Sequence, residues 1–269
     1  MAKARVNNIE LHYDEFGKGK EVILFSHGYL MNNTMFKGQI DKLKANFRCI
    51  AFDHRGHGQS EIAANGYTLD NLVTDVICLI EELKLDSVHF VGMSTGGFVG
   101  MRLAIRKPEL LKSLILMDTS AEEEDKNSKK KNYLLLWIVK NIGWYPVIGK
   151  AMSMLFHKSF LLDKSRQMEV KKWRKILMSQ DKRGLIPFGK MIFERDSVLG
   201  KLVDVNIPTA VIVGEQDVPT PTESSKKIAD RIPNADYYSI PNAGHSAAVE
   251  KPEEVYKAMR EFYTKNGMV

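Results

Sequence analysis

The residues most suggestive of chemistry lie at Gly92-Met93-Ser94-Thr95-Gly96-Gly97, where Ser94 stands two positions from Gly92 and two from Gly96. A strand-like run, VHFVG, leads into it, and an apolar helical run, FVGMRLAI, leads away. A serine flanked this way at a strand-to-helix junction matches a nucleophile elbow. The turn is so tight that a side chain at either flanking glycine would strike the neighbouring strand or helix. The N-terminus of the following helix also brings partial positive charge near an oxyanion forming beside the serine.

A serine hydroxyl is a weak nucleophile at neutral pH and needs a base. The chain offers His12, His27, His54, His57, His89, His157 and His245. His12 and His89 fall within strand-like runs and read as structural or surface residues. His157 lies in a helical stretch and reads as a surface residue. His54 and His57, with Asp53 in DHRGHGQS, invite a metal reading, but Gly56 and Gly58 between them fit a tight loop better. His245 sits in PNAGHSAAVEKP, after a strand and before the last helix, where an imidazole reaches the C-terminal edge of a sheet.

The imidazole needs an orienting carboxylate in turn. Asp217 ends GEQD directly after the strand TAVIVG, and Asp118, after LILM, is a second candidate at a comparable edge. Asp217 is favoured because Asp118 can instead cap the turn that follows it. The order Ser94, Asp217, His245 then suits a Ser–Asp–His hydrolase. For the oxyanion, the N–H of Thr95 supplies one donor. The loop SHGYL supplies the other, with Gly28 letting the backbone turn the Tyr29 N–H inward.

These residues need a sheet to bring them to one edge. EVILFSHG, FRCIAFDHRG, SVHFVG, LKSLILMD and TAVIVG are short β-rich runs, and the stretches between them have helical periodicity. Apolar residues at 69, 72, 73, 76, 79, 80 and 83 trace one helix face. Strands alternating with helices imply βαβ units and a mostly parallel sheet. IELHYDEF (9–16) alternates as a half-exposed edge strand does. From Ala121 to about Gly200 no strand pattern occurs, only helical ones. The expected domains are therefore a core of residues 1–120 and 201–269 and a helical cap of residues 121–200.

Composition agrees with a globular protein: 269 residues, 44% hydrophobic and 27% charged. The formal net charge of +6 is confined to residues 121–200, and the remainder is slightly acidic. No nucleic-acid-binding motif accompanies it, so a nucleic-acid partner is not expected. Two cysteines, Cys49 and Cys78, read as buried thiols rather than a disulfide framework. No uncharged run reaches the ~20 apolar residues of a membrane span, no signal peptide is evident, and a cytoplasmic setting is expected.

SHGYL, FDHRGHGQS, GMSTGG, GEQD and NAGH together, in this order, resemble the α/β-hydrolase superfamily along nearly the whole chain. The resemblance implies an α/β fold: an eight-stranded, mostly parallel sheet with helices on both faces and a helical cap inserted after the sixth strand. It also implies Ser94 as nucleophile, Asp217 as acid, His245 as base, and the Tyr29 and Thr95 amides as oxyanion hole. Within the superfamily, Ser94 in place of an aspartate disfavours haloalkane dehalogenases and epoxide hydrolases. MNNTMF lacks the glycine-proline-rich loop usual in C–C bond hydrolases. The chain is most similar to serine carboxylesterases, cofactor-free haloperoxidase-like (perhydrolase) esterases and enol-lactonases.

The expected activity is hydrolysis of a small to medium apolar ester through an acyl-enzyme. A lactone substrate is the nearest alternative, and a hydrolase-like ligand receptor with little turnover is the rival of another class. Trp137, Trp144, Met154 and Trp173 of the cap are candidate pocket residues. No metal and no cofactor are expected. The expected partner is a small-molecule substrate, with the chain as monomer or homodimer.

Overall fold

The computed structural model describes residues 2–268. Eight strands form one sheet: β1 (Ala2–Val6), β2 (Ile9–Phe16), β3 (Val22–Ser26), β4 (Arg48–Phe52), β5 (Val88–Met93), β6 (Leu111–Met117), β7 (Thr209–Gly214) and β8 (Asp236–Ile240). Their order is β1-β2-β4-β3-β5-β6-β7-β8. β1 and β2 run antiparallel to their neighbours, and every pairing from β4 through β8 is parallel.

Helices α1 (Lys37–Leu43), α2 (Leu69–Glu82) and α3 (Thr95–Arg106) connect the first six strands. α4 (Lys126–Asn141), α5 (Ile148–Leu155), α6 (Lys158–Leu162), α7 (Gln167–Met178) and α8 (Lys182–Phe193) all fall between β6 and β7. α9 (Thr222–Arg231), α10 (Ala247–Glu250) and α11 (Pro252–Lys265) complete the chain.

The sheet is buried on both faces because its strands alternate apolar residues toward each. Leu24, Phe90 and Leu116 face one side, under α2, α3 and α9, whose Val76, Val99 and Ile228 cover them. Ile23, Val91 and Ile115 face the other, where Ile40 of α1 and Val255 and Phe262 of α11 pack. On α2 the apolar stripe Leu69, Leu72, Val73, Val76, Leu79 and Ile80 is wholly buried. Its start is set by Thr68, whose Oγ1 accepts from the Asn71 N–H at 3.1 Å. Such caps contribute about 1 kcal/mol.

Two expectations need correction. Ile9–Phe16 is not the edge strand, because β1 pairs outside it. Asn7 and Asn8, at φ 42° and 63°, make the two-residue turn joining them, a conformation asparagine tolerates. Cys49 is buried, but Cys78 is only partly so, since it lies on the flank of α2 rather than on its apolar stripe. Both thiols are free. Among the described residues no helix is long and apolar enough to cross a membrane.

Candidate active site

β5 lies in the middle of the sheet, between β3 and β6, and Ser94 follows its last residue, Met93. The serine backbone has φ 51° and ψ −110°, a left-handed conformation that a non-glycine residue adopts at a cost of order 1–3 kcal/mol. The glycines make room for it. A β-carbon on Gly92 would lie 2.2 Å from the Gly96 carbonyl oxygen, and one on Gly96 would lie 2.0 Å from that of Ser26. Neither approach is physically tolerable, so the G-x-S-x-G spacing has a direct steric cause.

Three chain segments meet above this turn. Ser94 Oγ stands 3.0 Å from His245 Nε2, and His245 Nδ1 donates to Asp217 at 2.9 and 3.0 Å from its two oxygens. Asp217 follows β7 and His245 follows β8, the two strands beyond β6, so the sheet delivers both to the edge where Ser94 sits. All three residues are buried. The Asp217 carboxylate is further held by Thr220, whose N–H donates to Oδ1 at 2.9 Å and whose hydroxyl donates to Oδ2 at 2.8 Å.

Asp118 is placed differently from both roles considered for it. It neither meets the imidazole nor caps the following turn. Its Oδ1 accepts from the Gly214 N–H at 2.8 Å and its Oδ2 from the Ala247 N–H at 3.1 Å. It therefore ties the end of β7, just before Asp217, to the start of α10, just after His245. Burial, and then the nearby Asp217 charge, push its carboxyl well above the usual range.

The strand-to-helix loop at Gly28 packs against the same serine. A β-carbon on Gly28 would lie 2.5 Å from Met93 Sδ and 3.1 Å from Ser94 Cβ, so glycine is needed for this approach. His27 holds the turn from inside: Nε2 accepts from the His54 N–H at 3.0 Å, which leaves Nδ1 to donate to the Gly28 carbonyl at 2.7 Å. Tyr29 and Thr95, the residues whose amides were expected to face an oxyanion, both border the cavity above Ser94. The Tyr29 ring stacks on Phe188 and its hydroxyl donates to the Leu185 carbonyl at 2.9 Å, which joins this loop to α8.

His54 and His57 are packed into the interior beneath α8. His54 Nε2 lies 3.0 Å from Ser26 Oγ, and the His57 ring meets Phe188 edge-on at 4.3 Å between centroids. Burial lowers His27 and His54 and brings His57 down to about 3, so all three rings are neutral near pH 7. His12, within β2, bonds Asp53 at 2.9 Å. No cluster of three or more His, Cys, Asp or Glu side chains suited to a metal occurs among the described residues.

A cavity of about 340 Å³ opens over Ser94 and His245. Its apolar walls come largely from the inserted helices, through Leu136, Val139, Trp144, Val147 and Met154. Two of the four expected pocket residues do not line it. Trp137 is 56% exposed, because it follows Leu136 on α4 and points from the opposite flank. Trp173 is 2% exposed and packs near Phe156 at 6.3 Å, inside the helical segment. Lys131, Lys150 and the paired Glu124 and Arg195 add a polar, net positive part to the lining. Sequence reasoning missed Thr220, whose only signal is a hydroxyl three residues after Asp217. It also missed the two lysines, whose place depends on how α4 and α5 face the cavity.

The comparisons agree with this architecture. A 3-oxoadipate enol-lactonase of Acinetobacter baylyi is 28% identical over 247 residues, 91% of this chain and 90% of that protein. The structure of a thermophilic esterase from Thermogutta terrifontis superposes with a TM-score of 0.90 at 28% identity, covering 98% of each chain. A bromoperoxidase from Bacillus anthracis shares the fold, with a TM-score of 0.87 at 24% identity over 98% of this chain and 99% of that one. The family model described as the alpha/beta hydrolase fold matches residues 21–252. With that match, an eight-stranded sheet and a serine elbow at its centre, the chain belongs to the α/β-hydrolase family.

Proposed function

We propose that this hydrolase cleaves carboxylic esters, lactones included, of small to medium apolar substrates through an acyl-enzyme on Ser94. The observation that carries the reading is the line from Ser94 Oγ to His245 to Asp217, at 3.0 and 2.9 Å, beneath an apolar cavity. His245 takes the Ser94 proton as the oxygen attacks the carbonyl carbon. Asp217 fixes the imidazole tautomer and balances the imidazolium that forms. The Tyr29 and Thr95 amides receive the oxyanion, where loss of one such donor typically costs ~10²–10³ in rate. The imidazolium then protonates the departing alkoxide. Water deprotonated by His245 attacks the acyl carbon, and collapse of that intermediate frees the acid and restores Ser94.

Residues 121–200 serve in this reading as a lid that supplies the acyl-pocket walls. An enol-lactonase and an esterase among the relatives support ester and lactone bonds alike as targets. Ser94→Ala, measured on a short p-nitrophenyl ester and on a lactone panel, tests the mechanism. Turnover is expected to vanish, and a variant hydrolysing either class near the native rate would refute it. Comparing the native enzyme on linear esters against lactones then decides which class it prefers. The receptor alternative requires that Ser94 label with a fluorophosphonate while the native protein turns over neither class.

A further inference from the structure

Besides Asp118, which accepts from the Ala247 N–H, a second carboxylate that the mechanism above does not use holds the loop carrying His245. Glu250, at the end of α10, is 2% exposed. Its Oε1 accepts from the N–H of Gly244 at 3.0 Å and of Ser246 at 3.3 Å, the two residues flanking His245. Its Oε2 accepts at 2.8 Å from the N–H of His157, in the junction between α5 and α6. One side chain thus hydrogen-bonds the base loop and the inserted helices together.

Two further contacts mark this junction as built. A β-carbon on Gly244 would lie 2.7 Å from the His157 nitrogen, so the base loop and the inserted segment touch backbone to backbone. Arg166, between α6 and α7, donates to the carbonyls of Glu250 and Val249, so the inserted segment grips α10 at a second point. Burying a carboxylate here costs desolvation that an apolar side chain would avoid. What the carboxylate supplies is an acceptor shared among three backbone donors from two parts of the fold.

We propose that Glu250 is a positioning residue that couples the seating of the inserted helices to the placement of the His245 imidazole. With α5 and α6 in place, the His157 N–H holds Oε2, and Oε1 then fixes the backbone on both sides of the base. With that donor withdrawn, the carboxylate is free to turn and the Gly244–Ser246 backbone loses its anchor. Misplacing a base by about 1 Å can cost 10²-fold in rate. Turnover therefore depends on a junction, Phe156–His157, that touches none of Ser94, His245 and Asp217 through side-chain hydrogen bonds. The kinetic part of this inference rests on the esterase reading.

The test compares His157→Pro with His157→Ala. His157 has φ −68° and ψ 152°, and Phe156 before it is extended at φ −132° and ψ 137°. Both suit a proline at 157. Proline deletes the N–H that meets Oε2 and puts a ring carbon in its place. Alanine keeps the N–H and removes only the imidazole, which bonds Ser159. His157→Pro is expected to raise hydrogen–deuterium exchange of the 242–250 backbone about tenfold over His157→Ala, as loss of a local anchor does. It is also expected to lower kcat, and the rate at which a fluorophosphonate labels Ser94, about fivefold or more, with KM within about twofold. Glu250→Gln, which keeps one acceptor oxygen, should exchange less than Glu250→Ala.

Equal exchange of 242–250 in the two His157 variants would overturn the coupling. Raised exchange with unchanged Ser94 labelling would overturn its effect on the base. Exchange needs no substrate, so failure of the esterase reading alone would leave that measurement decisive.

Discussion

Thr220 donates its hydroxyl proton to Asp217 Oδ2 at 2.8 Å and its backbone N–H to Oδ1 at 2.9 Å, closing a tight turn around this carboxylate. The carboxylate is thereby aimed at the imidazole, and Oδ2 serves both Thr220 and His245. Outer hydrogen bonds of this kind typically matter 10–100-fold where they orient an active group. Thr220→Val is expected to lower kcat about tenfold with little change in KM, and Thr220→Ser to restore most of it. Steady-state kinetics on one ester decide the point, and equal rates for the Val and Ser variants would deny the hydroxyl any part.

The residues that meet at Ser94 were legible because each carries a local signature. Glycines at fixed offsets mark the elbow, and Asp217 and His245 each follow a β-rich run that ends at the same sheet edge. β1 was not legible as the outer strand, since five residues joined by an Asn-Asn turn carry little periodicity. Pocket membership was only half legible. Trp144 and Met154 reach the cavity, while Trp137 misses it by one position of helical phase, and composition is blind to phase. Glu250 left no trace, because backbone N–H donors carry no residue-type signal, and the one on His157 is 93 residues away in the chain.

Asp118 is expected to matter for stability before catalysis. Removing its carboxyl by Asp118→Ala strands the buried N–H groups of Gly214 and Ala247, each at about 1–3 kcal/mol. The unfolding free energy in urea should fall by about 2–6 kcal/mol on those grounds. A loss below about 1 kcal/mol would mean that water or a shifted backbone satisfies both donors. The loops bearing Asp217 and His245 loosen together in this variant, so residual activity should also drop.

The neutral buried histidines give stability a dependence on pH. Burial lowers His27, His54 and His57 from the ordinary 6.5, His57 to about 3 and, on β5, His89 to about 4. A depressed folded pKa means that the unfolded chain takes up the proton first. The stability these groups hold is therefore complete above pH 6.5 and is lost as pH falls toward 3–4. The slope is up to about 1.4 kcal/mol per pH unit for each group. Urea midpoints measured between pH 7 and pH 4.5 should fall steadily. His57→Asn should reduce that slope by about one proton, and an unchanged slope would show that His57 titrates alike folded and unfolded.

Lys131 on α4 and Lys150 on α5 give the basic inserted segment a definite place, because both border the cavity that holds Ser94. The other charged pair there, Glu124 with Arg195, neutralises itself, so the two ammonium groups set the sign of the field at the substrate. An ester bearing a carboxylate at its far end should be drawn in, and a neutral ester of equal length should not. At 0.15 M salt the Debye length is about 8 Å, so the effect is strongest in dilute buffer. KM for the anionic ester should rise several-fold between about 0.01 and 0.5 M salt, while KM for the neutral ester stays level. Lys131→Ala with Lys150→Ala should remove that difference and leave turnover of the neutral ester intact. Parallel salt responses of the two esters in the native enzyme would show that these lysines face solvent without reading the substrate.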